Sequence, residues 1–122
     1  MNILHIRVGD PMAATLDRAK ATMQAIERGE RPFPYFGIGF DSLPQFFGVF
    51  TPRRWELVSR LRQDGPLTVA ELARRLGRNY KNVHDDVVAL MQWDTIRRRE
   101  DRRVFVPWDE IDLRLPLIQH AA

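Results

Sequence analysis

At 122 residues, with 44% hydrophobic and 29% charged side chains, the chain has the size and composition of one folded domain rather than a disordered segment. It contains no cysteine, which excludes a disulfide framework and any thiolate metal site. Its net charge is +3, and seventeen of its nineteen cations are arginines, whose planar fork suits phosphates and base edges better than a lysine point charge.

The charge is uneven along the chain. Residues 1–50 are balanced, residues 51–106 carry +5, and residues 107–122 carry −2, so the basic excess is confined to one segment. The N-terminal apolar run Ile3 to Val8 is interrupted by His5 and Arg7, which makes it too short and too polar for a signal peptide. No apolar run reaches membrane-spanning length, so a soluble, cytoplasmic chain with no membrane partner is expected.

Ile3 to Val8 alternates and predicts a short strand. Asp10 as N-cap and Pro11 at the first helical position then open a helix that runs to about Arg28 and stops at Gly29. Its apolar positions Met12, Leu16, Ala19, Met23 and Ile26 step by four, three, four and three, the spacing of a seam along another helix. Self-association into a homodimer, or docking of a partner protein, is expected there.

The stretch "RPFPYFGIGFDSLPQFFGVFTP" holds six of the seven phenylalanines. Its prolines and glycines predict an irregular connector with a strand around Tyr35–Phe40, followed by a short helix capped by Asp41 or Ser42. Two readings of its aromatics stay open: core filling, or a docking surface for a partner.

From Thr51 the signals are denser. Thr51 and Pro52 start a helix whose apolar face is Trp55, Val58 and Leu61, and "DGP" ends it. Thr68 and Glu71 form a capping box ahead of the stripe Val69, Leu72, Ala73 and Leu76. Gly77 breaks the chain, and Asn79 caps a further helix with Tyr80, Val83, Val87, Leu90 and Met91 facing inward. Two short helices joined through a glycine turn have the form of a helix-turn-helix. "TIRRREDRRVFVP" alternates from Ile96, turns at Glu100–Asp101, and alternates back through Val104 and Val106, a hairpin of the length a wing requires. The C-terminal "EIDLRLPLIQ" predicts a strand that pairs with Leu4–Val8, either in cis or across a dimer.

The fold expected is mainly α (α+β): a strand-helix extension and aromatic connector over 1–50, a winged helix-turn-helix over 51–108, and a C-terminal strand or tail over 109–122. Residues Phe40 to Leu117 resemble small MarR-like winged-helix regulators, many of them antitoxins encoded beside a toxin. The resemblance is carried by "FTPRRWELV", "LTVAELARRLGRNYKNVHDDVVAL" and "VFVPWDEI". It implies double-stranded DNA (operator) binding, repression of the chain's own operon, and neutralisation of a cognate toxin. Two positions depart from such relatives: Asp94 stands where a glycine is common, and Asp85 where a basic residue is common.

The residue types suggest roles. Arg78, Asn79, Lys81 and Asn82 lie at the N-terminal corner that enters a major groove first; asparagine can pair with adenine, and arginine or lysine with guanine. Tyr80 is expected in the core with its hydroxyl reaching a phosphate, and His84 is either a phosphate donor or structural. Asp85 can accept from cytosine, but pairing with Arg74, Arg75 or Arg78 is the preferred reading, with Asp86 off the contact face. Of the wing arginines Arg97, Arg98, Arg99, Arg102 and Arg103, about three should reach a narrow minor groove, given strand alternation. Thr68 could hold a phosphate through its hydroxyl and backbone amide.

Catalysis is not expected, nor a cofactor or metal. His5, His84 and His120 are far apart, the run His84-Asp85-Asp86 fans over different helix faces, and "GIGF" lacks the rest of a phosphate loop. The competing reading is a protein-interaction module in which residues 1–50 bind a toxin or other partner and the winged helix is scaffold.

Overall fold

The structure, a computed structural model, describes residues 1–9, 12–30 and 35–117, with the backbone alone for 12–17. Its elements in chain order are β1 (Ile3–Val8), α1 (Met12–Glu27), β2 (Phe36–Phe40), α2 (Leu43–Val49) and α3 (Pro52–Asp64). They continue with α4 (Val69–Leu76), α5 (Tyr80–Gln92), β3 (Arg97–Arg98), β4 (Val104–Phe105) and β5 (Glu110–Arg114). The class is α+β. The cap expected at Asp10 and Pro11 lies outside the described residues, as do the side chains of Met12 and Leu16.

Local chemistry accounts for most boundaries. Gly29, at φ +79°, ends α1; its amide donates to Ile26 and that of Glu30 to Ala25, so two terminal carbonyls are satisfied. Ser42, Thr51, Thr68 and Asn79 each accept a backbone N–H through the side chain at the start of α2, α3, α4 and α5. Gly77 closes α4 in the left-handed conformation, at φ +64°.

β1 is the middle strand of a parallel sheet ordered β2-β1-β5. The C-terminal strand therefore pairs with β1 in cis, and residues 110–114 share a sheet with the N-terminal segment rather than forming a separate tail. In parallel strands, residues in register point to the same face. Leu4, Ile6 and Val8, with Phe36, Ile38 and Phe40 on β2 and Ile111 on β5, face the helices. His5, Arg7 and Asp112 face the other way and form a polar cluster, in which Arg7 donates to Asp112 Oδ2 at 3.0 Å and His5 Nδ1 lies 3.0 Å from the same oxygen.

One apolar core joins this sheet to the helices. Phe40 stacks on Trp93 at 4.2 Å and meets Phe46 and Phe50 edge-on, while Phe50 stacks on Trp55 at 4.9 Å. Most aromatics of the connector thus fill the core; Phe47 and Tyr35 remain exposed. These ring contacts join β2 to the end of α5 through Trp93, and the end of α2 to α3 through Trp55. No helix among the described residues is long and apolar enough to cross a membrane.

Candidate nucleic-acid interface

α5 has one sealed face and one open face. Val83, Val87 and Leu90 are fully buried against α3 and α4, whereas Tyr80, Lys81, Asn82, Asp85 and Val88 are exposed. Tyr80 was expected inward and is instead about half exposed, its ring stacked on that of His84 one turn later. Tyr80 and His84 stand at i and i+4, so the two rings share one helix face.

Two residues of the expected reading corner are occupied elsewhere. Asn79 uses its side-chain oxygen to accept from the amides of Lys81 and Asn82, so the oxygen that a bidentate adenine contact needs is already engaged. Arg78 turns inward: it donates to Asp86 Oδ2 at 2.6 Å, and the two side chains are only 15% and 16% exposed. Asp86 also receives Arg54 Nε from α3 at 3.0 Å, and Arg54 donates onward to the carbonyl of Val49 at the end of α2. Of the three arginines expected to pair with Asp85, Arg78 is taken by Asp86 and Arg75 lies 3.3 Å from Asp64, and no ion pair joins Asp85 to Arg74 among the described residues. Asp85 itself is exposed, with His84 Nδ1 3.8 Å from its Oδ1.

The function of Asp86 is positional. A carboxylate shared by two arginines from different elements holds the N-terminal end of α5 against α3 in low-dielectric surroundings, where charge-assisted hydrogen bonds are strong. Spacing alone missed it, because its partner Arg54 lies 32 residues upstream.

The hairpin β3–β4 pairs Arg97 with Phe105 and Arg98 with Val104. Val104 also exchanges both backbone hydrogen bonds with Leu67, just ahead of α4. Arg97 was expected among the outward wing arginines. It instead grips Asp94 with two hydrogen bonds of 2.9 Å and lies over the rings of Trp108 and Phe36. The Asp94 carboxylate holds the Arg97 guanidinium above its ordinary pKa. Asp94 takes φ +55°, a left-handed conformation that favours glycine, and its carbonyl accepts from Trp108 Nε1 at 2.9 Å.

Arg99 folds onto Asp101 at 2.9 Å across the turn. Arg98, Arg102 and Arg103 are exposed and make no ion pair among the described residues. Four of the five hairpin arginines, Arg98, Arg99, Arg102 and Arg103, are thus exposed, with Arg102 at φ +69° in the turn.

The Thr68 hydroxyl is committed to the capping box. It accepts from the Glu71 amide at 3.1 Å and donates to Glu71 Oε1 at 2.9 Å. The reciprocal bonds from the Thr68 side chain and backbone hold the Glu71 carboxyl below its ordinary range, with Arg103 and Arg74 adding to the effect. That hydroxyl is therefore not free for a phosphate.

Among the described residues no group of three His, Asp or Glu is placed to hold a metal ion. What the open surface offers is hydrogen-bond donors, cations and one exposed carboxylate, arranged on a helix and a neighbouring hairpin. A family model described as HVO_A0114 matches residues 49–113, which include α3, α4, α5 and the hairpin. No curated protein and no solved structure matches the chain.

Proposed function

The chain belongs to the HVO_A0114 family, whose model spans more than half of it, and we propose that it is a sequence-specific DNA-binding transcriptional regulator. In this reading α3, α4, α5 and the β3–β4 hairpin act as a winged helix-turn-helix. The observation that carries it is the pairing of an open, polar α5 face with three exposed arginines on the adjacent hairpin, Arg98, Arg102 and Arg103, that make no ion pair among the described residues.

Tyr80, Lys81, Asn82 and His84 present donors and an aromatic face to a major groove, with Val88 placed for a thymine methyl. Arg98, Arg102 and Arg103 supply backbone and minor-groove contacts. Arg78 and Arg97 serve by fixing α5 and the hairpin, and Thr68 and Asn79 by capping the helices.

Regulation of its own operon, and an antitoxin role, rest on the resemblance to MarR-like regulators. A homodimer would place two α5 helices on an inverted repeat with half-sites about ten base pairs apart or a multiple of that. The protein-interaction reading is favoured by one observation of its own, the exposure of Met23, Ile26 and Phe47 within residues 1–50. Exposed apolar residues there would serve dimerisation or a toxin, so the two readings are compatible.

The test is binding of the full chain to the DNA upstream of its own coding sequence, followed by fluorescence anisotropy at several salt concentrations. A log–log slope near −0.9 per phosphate contacted is expected, and Lys81→Ala with Asn82→Ala should abolish preference for that DNA. Salt-independent binding, or none, overturns the proposal.

A further inference from the structure

The sheet β2-β1-β5 ends in two edges, and the two are built differently. An unpaired edge is a row of free N–H and C=O groups that invites another strand, and charged side chains or proline discourage it. β5 carries Glu110, Asp112 and Arg114 and is soon followed by Pro116. β2 reads FGIGF, with no charge and no proline. Among the described residues it pairs with β1 alone.

We propose that β2 pairs with β2 of a second copy of the chain, antiparallel about a two-fold axis at Ile38, so that the two sheets become one. The proposal rests on the homodimer reading and gives that dimer its contact surface.

Backbone direction fits this register. The Gly9 amide donates to the Phe40 carbonyl at 2.8 Å, so the N–H and C=O of Phe40 face β1. These groups alternate from side to side along a strand, which turns those of Gly37 and Gly39 outward. In an antiparallel pair centred on Ile38, Gly37 of each copy stands opposite Gly39 of the other, and each such pair exchanges both hydrogen bonds. Ile38 then meets its own counterpart at a non-hydrogen-bonded position, where side chains lie closest.

The side chains fit it as well, because the strand reads the same in both directions. A two-fold axis sets Phe36 beside Phe40 of the second copy and Ile38 beside Ile38, all on the side that faces the core, with glycines on the other side. Phe36 and Ile38 are only partly buried in the single chain, so the pairing covers apolar surface. The other edge, treated likewise, would set Asp112 against Asp112, a like-charge pair.

Gly39 is an independent sign. A strand glycine costs stability and marks a left-handed φ or the close approach of another group. At Gly37 an added Cβ would lie 2.6 Å from the Tyr35 ring. At Gly39 it would meet nothing within 4 Å, and the backbone is not left-handed, so no contact among the described residues calls for glycine. A second backbone alongside supplies one.

Because the chain has no cysteine, an introduced one reports contacts without background. Ile38→Cys is made in the full chain and oxidised with copper phenanthroline, beside Asp112→Cys and Met23→Cys, which report pairing through β5 and through α1. Antiparallel partners at a non-hydrogen-bonded position have Cα atoms about 4.5 Å apart, within disulfide reach. Ile38→Cys should give a covalent dimer as its main product, and faster than either of the others. Gly39→Pro is the second variant. The N–H it removes points away from β1 and its Cβ meets open space, so the fold is kept while hydrogen bonds to the second copy are lost. It should weaken the dimer by about tenfold or more in sedimentation equilibrium, with an unchanged far-UV CD spectrum. A dimeric parent that links through position 112 or 23 and not 38, or whose dimer Gly39→Pro leaves undiminished, overturns the pairing of β2 and leaves the homodimer standing. A parent that is monomeric at micromolar concentration overturns both. Neither readout involves DNA, so failure here is separate from failure of the DNA-binding reading.

Discussion

The indole Nε1 of Trp108 donates to the backbone oxygen of Asp94 at 2.9 Å, joining the segment after β4 to the turn that closes α5. The Asp94 carboxylate grips Arg97, and Arg97 lies over the Trp108 ring at 5.0 Å. Three groups thus close a loop of contacts at the root of the hairpin. The left-handed backbone at position 94 is compatible with glycine, but glycine could not supply the carboxylate.

That arrangement separates two contributions. Asp94→Gly keeps the backbone unstrained and loses a half-exposed ion pair, which costs about 0.2–1 kcal/mol. Asp94→Ala loses the same pair but keeps a Cβ at φ +55°, which leaves it ~1–2 kcal/mol below the glycine variant. Urea denaturation should therefore rank the glycine variant above alanine, with alanine the least stable of the three. Equal losses for the two variants contradict this account of the turn.

Asp86 carries the larger stake. Removing the carboxylate leaves Arg54 and Arg78 facing each other with their side chains only 20% and 15% exposed. Breaking a buried pair costs about 3–5 kcal/mol, and the remaining exposure here brings the expectation for Asp86→Ala to about 2–4 kcal/mol. Chemical denaturation measures it. A loss below ~1 kcal/mol would show that the two arginines find water instead and that Asp86 does not hold α5 in place.

Acid should loosen the structure at identifiable sites. Hydrogen bonds from Arg7 and then His5 hold the Asp112 carboxyl below its ordinary range, the Asn2 amide and Arg62 do so for Asp109, and Thr68 does so for Glu71. A carboxyl whose pKa is lower folded than unfolded stabilises the fold above its unfolded value. That contribution disappears as pH falls through the folded value. Stability measured by thermal melting should thus decline from about pH 4.5 downward, and the decline should be shallower in Asp112→Asn, which starts less stable at pH 7. An equally steep decline in that variant would mean that the tie between β1 and β5 does not depend on the ionised carboxylate.

Much of the α3–α5 segment was legible because its signals are local. Thr51, Thr68 and Asn79 each cap within three residues, and the apolar stripes of α3 and α4 repeat at helical spacing. What escaped was set largely by distant partners. Arg78 points inward to Asp86, which Arg54 from α3 also binds, and Arg97 turns inward over the ring faces of Phe36 and Trp108. No spacing within "RNYKNVHDD" or "IRRRE" encodes Arg54, Phe36 or Trp108. The strand at Glu110–Arg114 was predictable from alternation, but its pairing with β1 in cis depends on the closure of the whole core. On the candidate surface, legibility reached residue types and failed at side-chain direction, which tertiary packing decides.

Asp85 is the sharpest test of the proposed DNA surface. It lies on the exposed face of α5, 63% exposed at the side chain, and makes no ion pair with an arginine among the described residues. A lone carboxylate among groove-facing donors repels phosphates at every DNA sequence and can favour a base only by accepting from a cytosine amino group. Asp85→Ala should therefore tighten binding to unrelated DNA, by about threefold to tenfold at low salt, as one repulsive charge is removed. If it also weakens binding to the chain's own upstream DNA, the carboxylate is reading a cytosine there, and the ratio of the two affinities measures how much specificity it contributes. If binding to unrelated DNA is unchanged, α5 does not present this face to the duplex.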